Sequence, residues 1–379
     1  MKILHLTLSA ALGGRRDAIM TLVDHLRPLG IECGVVALRD SASGIATLAD
    51  RADYVDGLAI RARPTWAELK QVRRICIRRG VDLVHAHDHV SQYVASALRF
   101  LSPSLRAVMT FHRTLGIETE GRRNRIRNAA TLPLIQRVLT ASAERRKYFI
   151  DNTLIQKNKV MVIPIGVDLD RFRPNQSERG AIRERLGLDP DVPLALAIGH
   201  FGIEKGIDQA LTAAAHANTL LAGRPWHLAV LGSGSADRVA LLHATGQQLL
   251  PGRVSWVGFQ ADVTPWIQAA DLLIHAPRAE AFGMVVVQAM ACGLPVAALA
   301  VGGVPELVVH EQTGLLAPAG DLDALGSAIA RMISDPALRN AIGERGLGRA
   351  MQCYDAGECA RRHAALYREL ISGTKPAVP

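Results

Sequence analysis

A lysine, a glutamate and several glycines follow apolar segments in the second half of the chain. Lys205 lies within residues 199–206, after one apolar segment, and Glu280 lies within residues 278–284, after another. If these segments are parallel strands, both residues lie at the carboxyl edge of one sheet, where open α/β sheets bind ligands. A lysine and the free N–H groups at a helix start attract a diphosphate, and a carboxylate accepts hydrogen bonds from sugar hydroxyls. The pattern therefore predicts a site for a sugar diphosphate; a solvated lysine and a helix-capping glutamate are the alternative interpretations.

Two glycines and a histidine occupy comparable positions in the first half. Gly13 and Gly14 follow the first apolar segment, where a backbone without Cβ atoms lets a ligand approach closely. The alternative is a tight turn with no ligand. His112 directly follows another apolar segment, so we expect it to contact a sugar, the alternative being a hydrogen-bonded core histidine.

Three more histidines are spaced like metal ligands. His85, His87 and His89 alternate along the chain, with Asp88 among them. The first two fall on one face of a strand and could chelate one ion. The alternative, a structural or acceptor-side role without a metal, is favoured by the family resemblance given below.

Strand-like apolar segments alternate with helix-like segments along most of the chain. Such alternation predicts parallel sheets with right-handed crossovers. The pattern breaks near residue 170, so we expect two Rossmann-like, doubly wound α/β domains facing a central cleft. These are residues 1–172 and residues 173–355, and a C-terminal helix and tail at residues 356–379 packs back on the first domain. The predicted strands are residues 3–8, 33–38, 82–86, 107–111, 160–164, 194–198, 227–231, 254–257, 272–275, 295–298 and 314–316, with helices near 66–79 and 91–100.

Charge is distributed unevenly along the 379 residues. The formal net charge is +9, but residues 1–173 hold 28 basic and 16 acidic residues, a balance of +12, and the remainder carries −3. A basic first half favours contact with a phosphorylated substrate, a membrane surface or nucleic acid. Because only 4% of the residues are aromatic, base stacking on nucleic acid is disfavoured. The 49% hydrophobic content is enough for a sizeable core and excludes a disordered chain.

Cysteine spacing and the apolar segments indicate the compartment. Five cysteines without a CxxC pair argue against a disulfide framework or a thiolate zinc site and favour a reducing environment. Residues 1–12 resemble a short signal peptide, but His5 and Thr7 interrupt the apolar stretch. Residues 284–305 are long enough to span a bilayer, but three glycines and two prolines would break such a helix. We therefore expect a cytoplasmic protein without a transmembrane helix.

Several short motifs, in order along the chain, resemble those of the retaining glycosyltransferases of family 4. They include a Gly-Gly turn after the first strand, a Thr-Phe-His segment, a Lys-Gly pair and a Glu-Ala-Phe-Gly segment entering a helix. The resemblance covers almost the whole chain and implies the GT-B fold, with metal-independent transfer of a sugar and retention at its anomeric carbon. The matching residues are Gly13, Gly14, 110–112, 164–168, Phe172, Pro174, Lys205, Gly206, 280–283, 289–296, 302–306 and 314–316.

The resemblance also implies roles for particular residues. His112 and Glu280 would orient the donor sugar, and Lys205 would stabilise the departing diphosphate, so these three are the expected catalytic residues. The expected nucleotide-sugar-binding residues are Gly13, Gly14, His200, Lys205, Phe282, Gly283, Met284 and Gln288.

Two positions depart from the family pattern. His200 stands where the family usually pairs an arginine with the lysine, and Gln288 replaces the second glutamate of an E-x7-E motif. Glutamine can still form hydrogen bonds with ribose hydroxyls, and imidazole can contact phosphate. We expect these changes to affect donor affinity and identity more than the reaction class.

The expected partners follow from the resemblance and from the charge. The donor would be a UDP- or GDP-linked sugar, and the acceptor a glycan or lipid-linked molecule in cell-surface polysaccharide or lipopolysaccharide assembly. No cofactor and no nucleic acid are expected. Four arginines beyond His112 suit an acceptor or the inner face of an anionic membrane, the alternative being a solvated surface. These arginines are Arg122, Arg123, Arg125 and Arg127.

Two other functions remain open from the sequence. A nucleotide-sugar epimerase or hydrolase of the same fold would show turnover without an acceptor. A non-catalytic GT-B partner protein is the second, because both departures lie at the expected nucleotide site.

Overall fold

The computed structural model of the protein describes residues 1–10, 13–41, 45–60, 64–112, 122–175 and 177–373, with the backbone alone at residues 47 and 122–125. The chain divides into two compact units. Unit 1 comprises Met1–Gly166 and the chain from Ala356 onward, and unit 2 comprises Val167–Asp355.

Unit 1 contains a parallel sheet. Its strands, within the described residues, are β1 (Lys2–Thr7), β2 (Glu32–Ala37), β3 (Tyr54–Gly57), β4 (Leu83–Ala86), β5 (Arg106–Phe111), β6 (Arg137–Thr140) and β7 (Val160–Val162). They are ordered β3-β2-β1-β4-β5-β6-β7. All pairs are parallel, and the order reverses between β1 and β4, as it does in doubly wound folds.

Unit 2 repeats this arrangement. Its strands in the described part of the chain are β8 (Leu194–Ile198), β9 (His227–Leu231), β10 (Val254–Gly258), β11 (Leu272–His275), β12 (Val296–Leu299) and β13 (Leu315–Ala317). The order is β10-β9-β8-β11-β12-β13, again with parallel pairs. The predicted α/β class with two doubly wound sheets is confirmed.

Helices cover the sheets, so the strands are apolar on both faces. The helices are α1 (Gly14–Leu26), α2 (Trp66–Arg79), α3 (His89–Leu101), α4 (Arg122–Thr131), α5 (Ala143–Asn152), α6 (Arg179–Arg185), α7 (Ile207–Leu220), α8 (Ala236–Leu249), α9 (Thr264–Ala269), α10 (Met284–Ala291), α11 (Val304–Leu307), α12 (Leu322–Ser334), α13 (Pro336–Cys353) and α14 (Ala356–Ser372).

Local capping signals fix the start of two helices that matter for function. At α2, the Glu68 carboxylate accepts a hydrogen bond from the Thr65 backbone N–H at 2.6 Å, which completes a capping box. At α3, the Asp88 carboxylate accepts hydrogen bonds from the N–H groups of Val90 and Ser91. The second cap starts α3 directly after β4, at the carboxyl edge of the unit 1 sheet.

Sequence periodicity missed two short strands, β3 and β6. Each contains only two apolar residues, Tyr54 and Val55 in β3 and Val138 and Leu139 in β6, so neither forms an apolar run that stands out in the sequence. β3 lies at the edge of the sheet and pairs only with β2 within the described residues.

The division between the units lies after Gly166, earlier than the boundary expected after residue 172. Val167 donates a backbone hydrogen bond to the Tyr354 carbonyl at 2.7 Å, and Phe172 is buried, so the intervening residues belong to unit 2. The C-terminal helix α14 packs against α1 in unit 1, where Ala360 and Tyr367 are fully buried. In the described part of the chain, no helix has both the length and the apolar character needed to cross a bilayer.

Candidate functional site

A partly buried ion pair lies at the carboxyl edge of the unit 2 sheet. The Lys205 Nζ atom donates to Glu280 Oε2 at 2.9 Å. His275, the last residue of β11, places its Nε2 atom 3.3 Å from the same oxygen. The Glu280 side chain is 8% exposed and that of Lys205 is 30% exposed, so the lysine is the more accessible partner. The structure thus brings together two of the three expected catalytic residues, and it adds a histidine that the sequence did not single out.

The charge state of Glu280 follows from these contacts. Burial alone would raise the pKa of its carboxyl group, but the contact with His275 and the positive charge of Lys205 hold that pKa well below its usual range. Glu280 is therefore a carboxylate at neutral pH, able to accept hydrogen bonds but not to donate a proton.

The loop that carries Lys205 is held by an arginine–aspartate cluster. Lys205 ends a 3₁₀ turn after β8. Asp208 accepts hydrogen bonds from Arg238 at 2.8 Å and from both terminal nitrogens of Arg278, at 2.9 and 2.6 Å. The backbone N–H of Arg278 also donates a hydrogen bond to the Glu204 backbone carbonyl at 2.9 Å. Because Arg278 lies two residues before Glu280, the cluster ties the lysine turn to the glutamate loop.

A glycine allows the glutamate loop to take its path. Gly302 has φ +55°, and a Cβ atom there would lie 1.8 Å from the Glu280 carbonyl oxygen. Any larger residue would displace the Glu280 backbone. Glu280 Oε1 also accepts a hydrogen bond from the Ala281 N–H at 3.1 Å, which orients the carboxylate.

His200 is exposed beside the lysine turn. Its Nδ1 atom accepts a hydrogen bond from the Gly202 N–H at 3.0 Å. A neutral His200 ring therefore carries its proton on Nε2, so it has a donor for an anion even when it is uncharged.

The start of α10 supplies further donors. Gly283 precedes Met284 with φ +103°. The Val286 N–H already donates to the Gly283 carbonyl at 2.9 Å, so among the described residues the first-turn donors left for a ligand are the N–H groups of Met284 and Val285. Gln288 lies one turn further along and is half-buried. The Phe282 side chain is 3% exposed and packs edge-on against Tyr354, so the backbone is the part of this residue that a ligand could contact.

In unit 1, the first glycine turn leads directly into α1. Gly13 has φ +141°, which favours glycine, and a Cβ atom at this position would meet no atom of the described residues within 4 Å apart from its chain neighbours. Gly14 is the first residue of α1. The turn leaves open space at the helix start, as a ligand-approach role requires.

His112 is the end of a chain of hydrogen-bonded histidines. Its Nε2 atom lies 2.9 Å from His87 Nδ1, and His87 Nε2 lies 3.0 Å from His5 Nδ1. The His112 Nδ1 and His5 Nε2 atoms have no partner among the described residues. A neutral ring carries one N–H, so His87 donates one of these two hydrogen bonds and accepts the other. Both hydrogen bonds therefore run in the same direction, and one terminal histidine presents a free donor while the other presents a free acceptor.

A second pair of contacts holds His85 beside this chain. His85 Nδ1 lies 2.6 Å from the Tyr367 hydroxyl, and His85 Nε2 lies 2.6 Å from the Thr110 hydroxyl. The His85 and His87 rings are 4.1 Å apart between centroids. His89 lies outside this group, edge-on to Tyr93, so the third histidine beside His85 and His87 is His5.

The histidine chain is uncharged near neutral pH. Burial lowers the pKa of His5 to about 3, and burial together with the charge of Arg15 lowers that of His112 to about 3. Burial and the neighbouring rings hold the pKa values of His85 and His87 well below 6.5. Ligand atoms of His5, His85 and His87 lie within 4.8 Å of one another. Both nitrogens of His85 and His87 already have hydrogen-bond partners, so a metal would have to replace these contacts.

The expected acceptor arginines lie on α4. Arg122, Arg123 and Arg125 fall in its first turns, and their side chains lie outside the described part of the structure. Arg127 is half-buried, with its guanidinium carbon 5.9 Å from the centroid of the Tyr93 ring.

Sequence reasoning missed three contributors to these sites. His275 could have been found, because it ends a correctly predicted strand five residues before Glu280. Asp208 and His5 carry no local signal, since their partners lie at least 30 positions away along the sequence.

Two family models match the chain. Glycosyl transferases group 1 matches residues 178–349, and Glycosyltransferase Family 4 matches residues 13–171. With the relatives that follow, these matches show that the chain belongs to the group 1 glycosyltransferases, of the family 4 type.

Curated relatives carry glycosyltransferase names. A D-inositol 3-phosphate glycosyltransferase 1 of Catenulispora acidiphila is 32% identical over 323 residues, covering 77% of this chain and 73% of that protein. A D-inositol 3-phosphate glycosyltransferase of Streptomyces avermitilis is 30% identical over 305 residues, covering 76% and 65%. The lipopolysaccharide core biosynthesis mannosyltransferase LpsB of Rhizobium meliloti is 33% identical over 217 residues, covering 55% and 61%. The matched region spans less than two thirds of the last two relatives.

A solved structure shares the fold. Anabaena Alr3699/HepE, crystallised in complex with UDP and glucose, has a TM-score of 0.85 and 23% sequence identity, covering 98% of this chain and 100% of that one. This likeness supports the GT-B fold expected from the sequence.

Proposed function

We propose that the protein is a retaining glycosyltransferase that moves a sugar from a nucleotide-diphosphate sugar to a glycan or lipid-linked acceptor. The observation that carries the proposal is the Lys205–Glu280 pair at the carboxyl edge of the unit 2 sheet. The lysine of this pair is partly exposed and can stabilise a negatively charged leaving group. Its carboxylate is ionised and can accept hydrogen bonds from the hydroxyl groups of an uncharged sugar.

In this proposal, unit 2 stabilises the departing nucleoside diphosphate. Lys205 supplies positive charge, and the His200 Nε2–H and the first N–H groups of α10 supply hydrogen-bond donors. Gln288 would bind ribose hydroxyls in place of a glutamate. These groups are aligned before the reaction, so they act on the charge as it develops.

The sugar itself would be oriented by Glu280 and, from unit 1, by His112. The bond between the anomeric carbon and the diphosphate oxygen breaks, and its electron pair leaves with the diphosphate. The acceptor oxygen bonds to the same face of that carbon, and its proton passes to the departing diphosphate oxygen. No protein nucleophile and no metal enters this scheme, so the contribution of the chain is electrostatic and positional.

The relatives suggest which substrates to test first. The complex of HepE with UDP and glucose suggests a UDP-linked hexose, and the mannosyltransferase LpsB suggests a mannose donor. The D-inositol 3-phosphate glycosyltransferases suggest a phosphorylated cyclitol acceptor, and LpsB suggests a lipopolysaccharide core. The arginines of α4, Arg122, Arg123, Arg125 and Arg127, would then contact a phosphorylated acceptor or an anionic membrane surface.

The test is a panel of nucleotide sugars, scored for free nucleotide with and without inositol phosphate or lipid-linked glycan acceptors. The proposal expects release that depends on an acceptor, and a product with the anomeric configuration of the donor. Acceptor-independent turnover would support an epimerase or hydrolase instead, and an inverted product would exclude retention.

A further inference from the structure

A cavity in unit 1 has the composition of an anion site. It encloses about 580 Å³, and its lining includes Arg39, Trp66, Leu69, Tyr93 and Arg127. We refer to it as the arginine–aromatic cavity. It is separate from the histidine chain, whose rings do not line it.

Its position in the sheet suits a substrate site. Leu8 follows β1, Arg39 follows β2 and His89 begins α3 directly after β4, and all three line the cavity. In a parallel sheet these strand ends lie at one edge, and His112 follows β5 at that same edge. The cavity and the proposed sugar-contacting histidine therefore open on one side of unit 1.

The charge of the cavity is positive and uncompensated. No aspartate or glutamate is found among its described lining residues. The carboxylates that neighbour these residues in the sequence have other hydrogen-bond partners. Asp40 accepts hydrogen bonds from a serine hydroxyl and a backbone N–H. Glu68 caps α2, and Asp88 caps α3. Within the described part of the chain, Arg39 and Arg127 thus have no carboxylate partner, and a guanidinium group binds phosphate oxygens through two parallel N–H groups.

The walls of the cavity are aromatic and apolar. The Trp66 residue is 64% exposed, whereas Trp226 and Trp266 are 2% exposed and Trp256 is half-buried. An exposed tryptophan at the mouth of a cavity offers a flat apolar face to the C–H side of a sugar or cyclitol ring. Tyr93 adds a second ring, 5.9 Å from the guanidinium carbon of Arg127.

We propose that the arginine–aromatic cavity binds the phosphate ester of the acceptor, with Arg39 and Arg127 on the phosphate and Trp66 against the attached ring or chain. This deepens, and rests on, the proposed transferase function, since it names the acceptor class as an organic phosphate. The phosphate group belongs either to a water-soluble polyol phosphate or to a lipid headgroup.

Trp66 provides a direct measurement of binding. Because it is the one exposed tryptophan of the four, ligand in the cavity changes its fluorescence more than that of the others. The probes are inositol 1-phosphate with inositol as its control, and phosphatidylcholine vesicles with or without phosphatidic acid. We expect inositol 1-phosphate or phosphatidic acid vesicles, and not their controls, to change the emission of the whole protein, and Trp66→Phe to remove this change.

Charge variants locate the phosphate. Arg39→Gln and Arg127→Gln should each weaken binding of the effective probe by at least about 10-fold, as expected for loss of a charge-assisted hydrogen bond. The matched control is Arg74→Gln, an exposed arginine on α2 that does not line the cavity. A response to inositol 1-phosphate identifies the polyol source, and a response to phosphatidic acid vesicles alone identifies the lipid source.

Two results would overturn the assignment: no fluorescence response to either phosphate probe, or equal weakening by the Arg74 control and the cavity variants. The binding assay contains no nucleotide sugar, so its failure is distinguishable from failure of the transferase proposal. If cavity binding is present and no donor is ever turned over, the proposed function fails while the phosphate site remains.

Discussion

The two units carry different side chains at the carboxyl edges of their sheets, charged in unit 2 and neutral in unit 1. Unit 2 holds a charged pair, Lys205 and Glu280, joined at 2.9 Å. Unit 1 holds His5, His87 and His112, joined by N···N contacts of 3.0 and 2.9 Å and uncharged at neutral pH. Both sheets have the doubly wound order, so the fold alone does not dictate this difference.

The difference indicates that the two units suit different parts of the substrates. Charge is placed in unit 2, where a departing diphosphate would need it. Neutral rings are placed in unit 1, where they can orient hydroxyl groups, since a neutral imidazole both donates and accepts hydrogen bonds. The same contrast predicts that acid acts on the two units differently.

The largest expected effect is acid destabilisation of unit 1. Unfolding exposes the histidines, whose pKa values return to about 6.5. In the folded unit the pKa values of His5 and His112 are about 3, and that of His363, a buried residue of α14, is about 4. Between these values the unfolded chain binds more protons, so the free energy of unfolding falls as pH decreases from 6.5. Each such ring contributes about 1.4 kcal/mol per pH unit.

Hydrogen exchange measured by unit between pH 7.5 and 5 checks this expectation, with unit 2 as the internal control. The pKa of Glu280 is lowered on folding, so its contribution to stability is present above about pH 4.3 and is lost only below it. Equal loss of protection in both units over this range would contradict the neutral histidine chain.

The next effect concerns the ionised carboxylate. Glu280→Gln keeps the shape of the side chain but removes the charge, so we expect transfer to slow by at least about 100-fold while nucleoside diphosphate binding is retained. Steady-state rates and calorimetric titration measure the two quantities. Glu204 is exposed on the turn that carries Lys205, so Glu204→Gln is the control, and its transfer rate and nucleotide affinity should remain close to those of wild type.

A smaller effect tests whether His87 positions His112. His87→Leu removes the 2.9 Å contact, and we expect kcat to fall about 10-fold with donor affinity unchanged, as for loss of one hydrogen bond. His87→Asn retains an amide near the Nδ1 position and should recover part of the rate. Equal rates in the two variants, with equal losses in Tm, would mean that His87 only packs.

The smallest effect is expected at Gln288. Gln288→Glu introduces the carboxylate that the family resemblance predicts at this position, and the residue is half-buried rather than enclosed. If the amide merely replaces a ribose contact, the variant keeps transfer within about 3-fold of wild type, because either group accepts a hydroxyl hydrogen bond. A strict loss of transfer would show that the pocket depends on the amide.

The sequence was informative where a strand formed a continuous apolar run and the residues after it carried chemistry. β8 and β9 were predicted with their observed bounds, and the loops after β8 and β11 led to Lys205 and Glu280. Strand ends can be located from apolar runs, and parallel strands bring them together.

The histidine chain could not be predicted in the same way. It depends on β1, β4 and β5 being neighbours, on ring orientation and on the hydrogen-bond direction. His5 looked like an interruption of an apolar strand, although it is fully buried and forms one end of the chain. Long-range side-chain geometry of this kind leaves no period in the sequence.

The central claim, that Lys205 binds the diphosphate of the donor, is tested most directly by comparing nucleoside diphosphate and nucleoside affinities. The variants are Lys205→Met, and Lys205→Met combined with Glu280→Gln so that no buried carboxylate is left without a partner. We expect wild type to bind UDP or GDP more tightly than uridine or guanosine, and both variants to lose at least about 10-fold of that preference. Undiminished preference for the diphosphate in both variants would contradict the account.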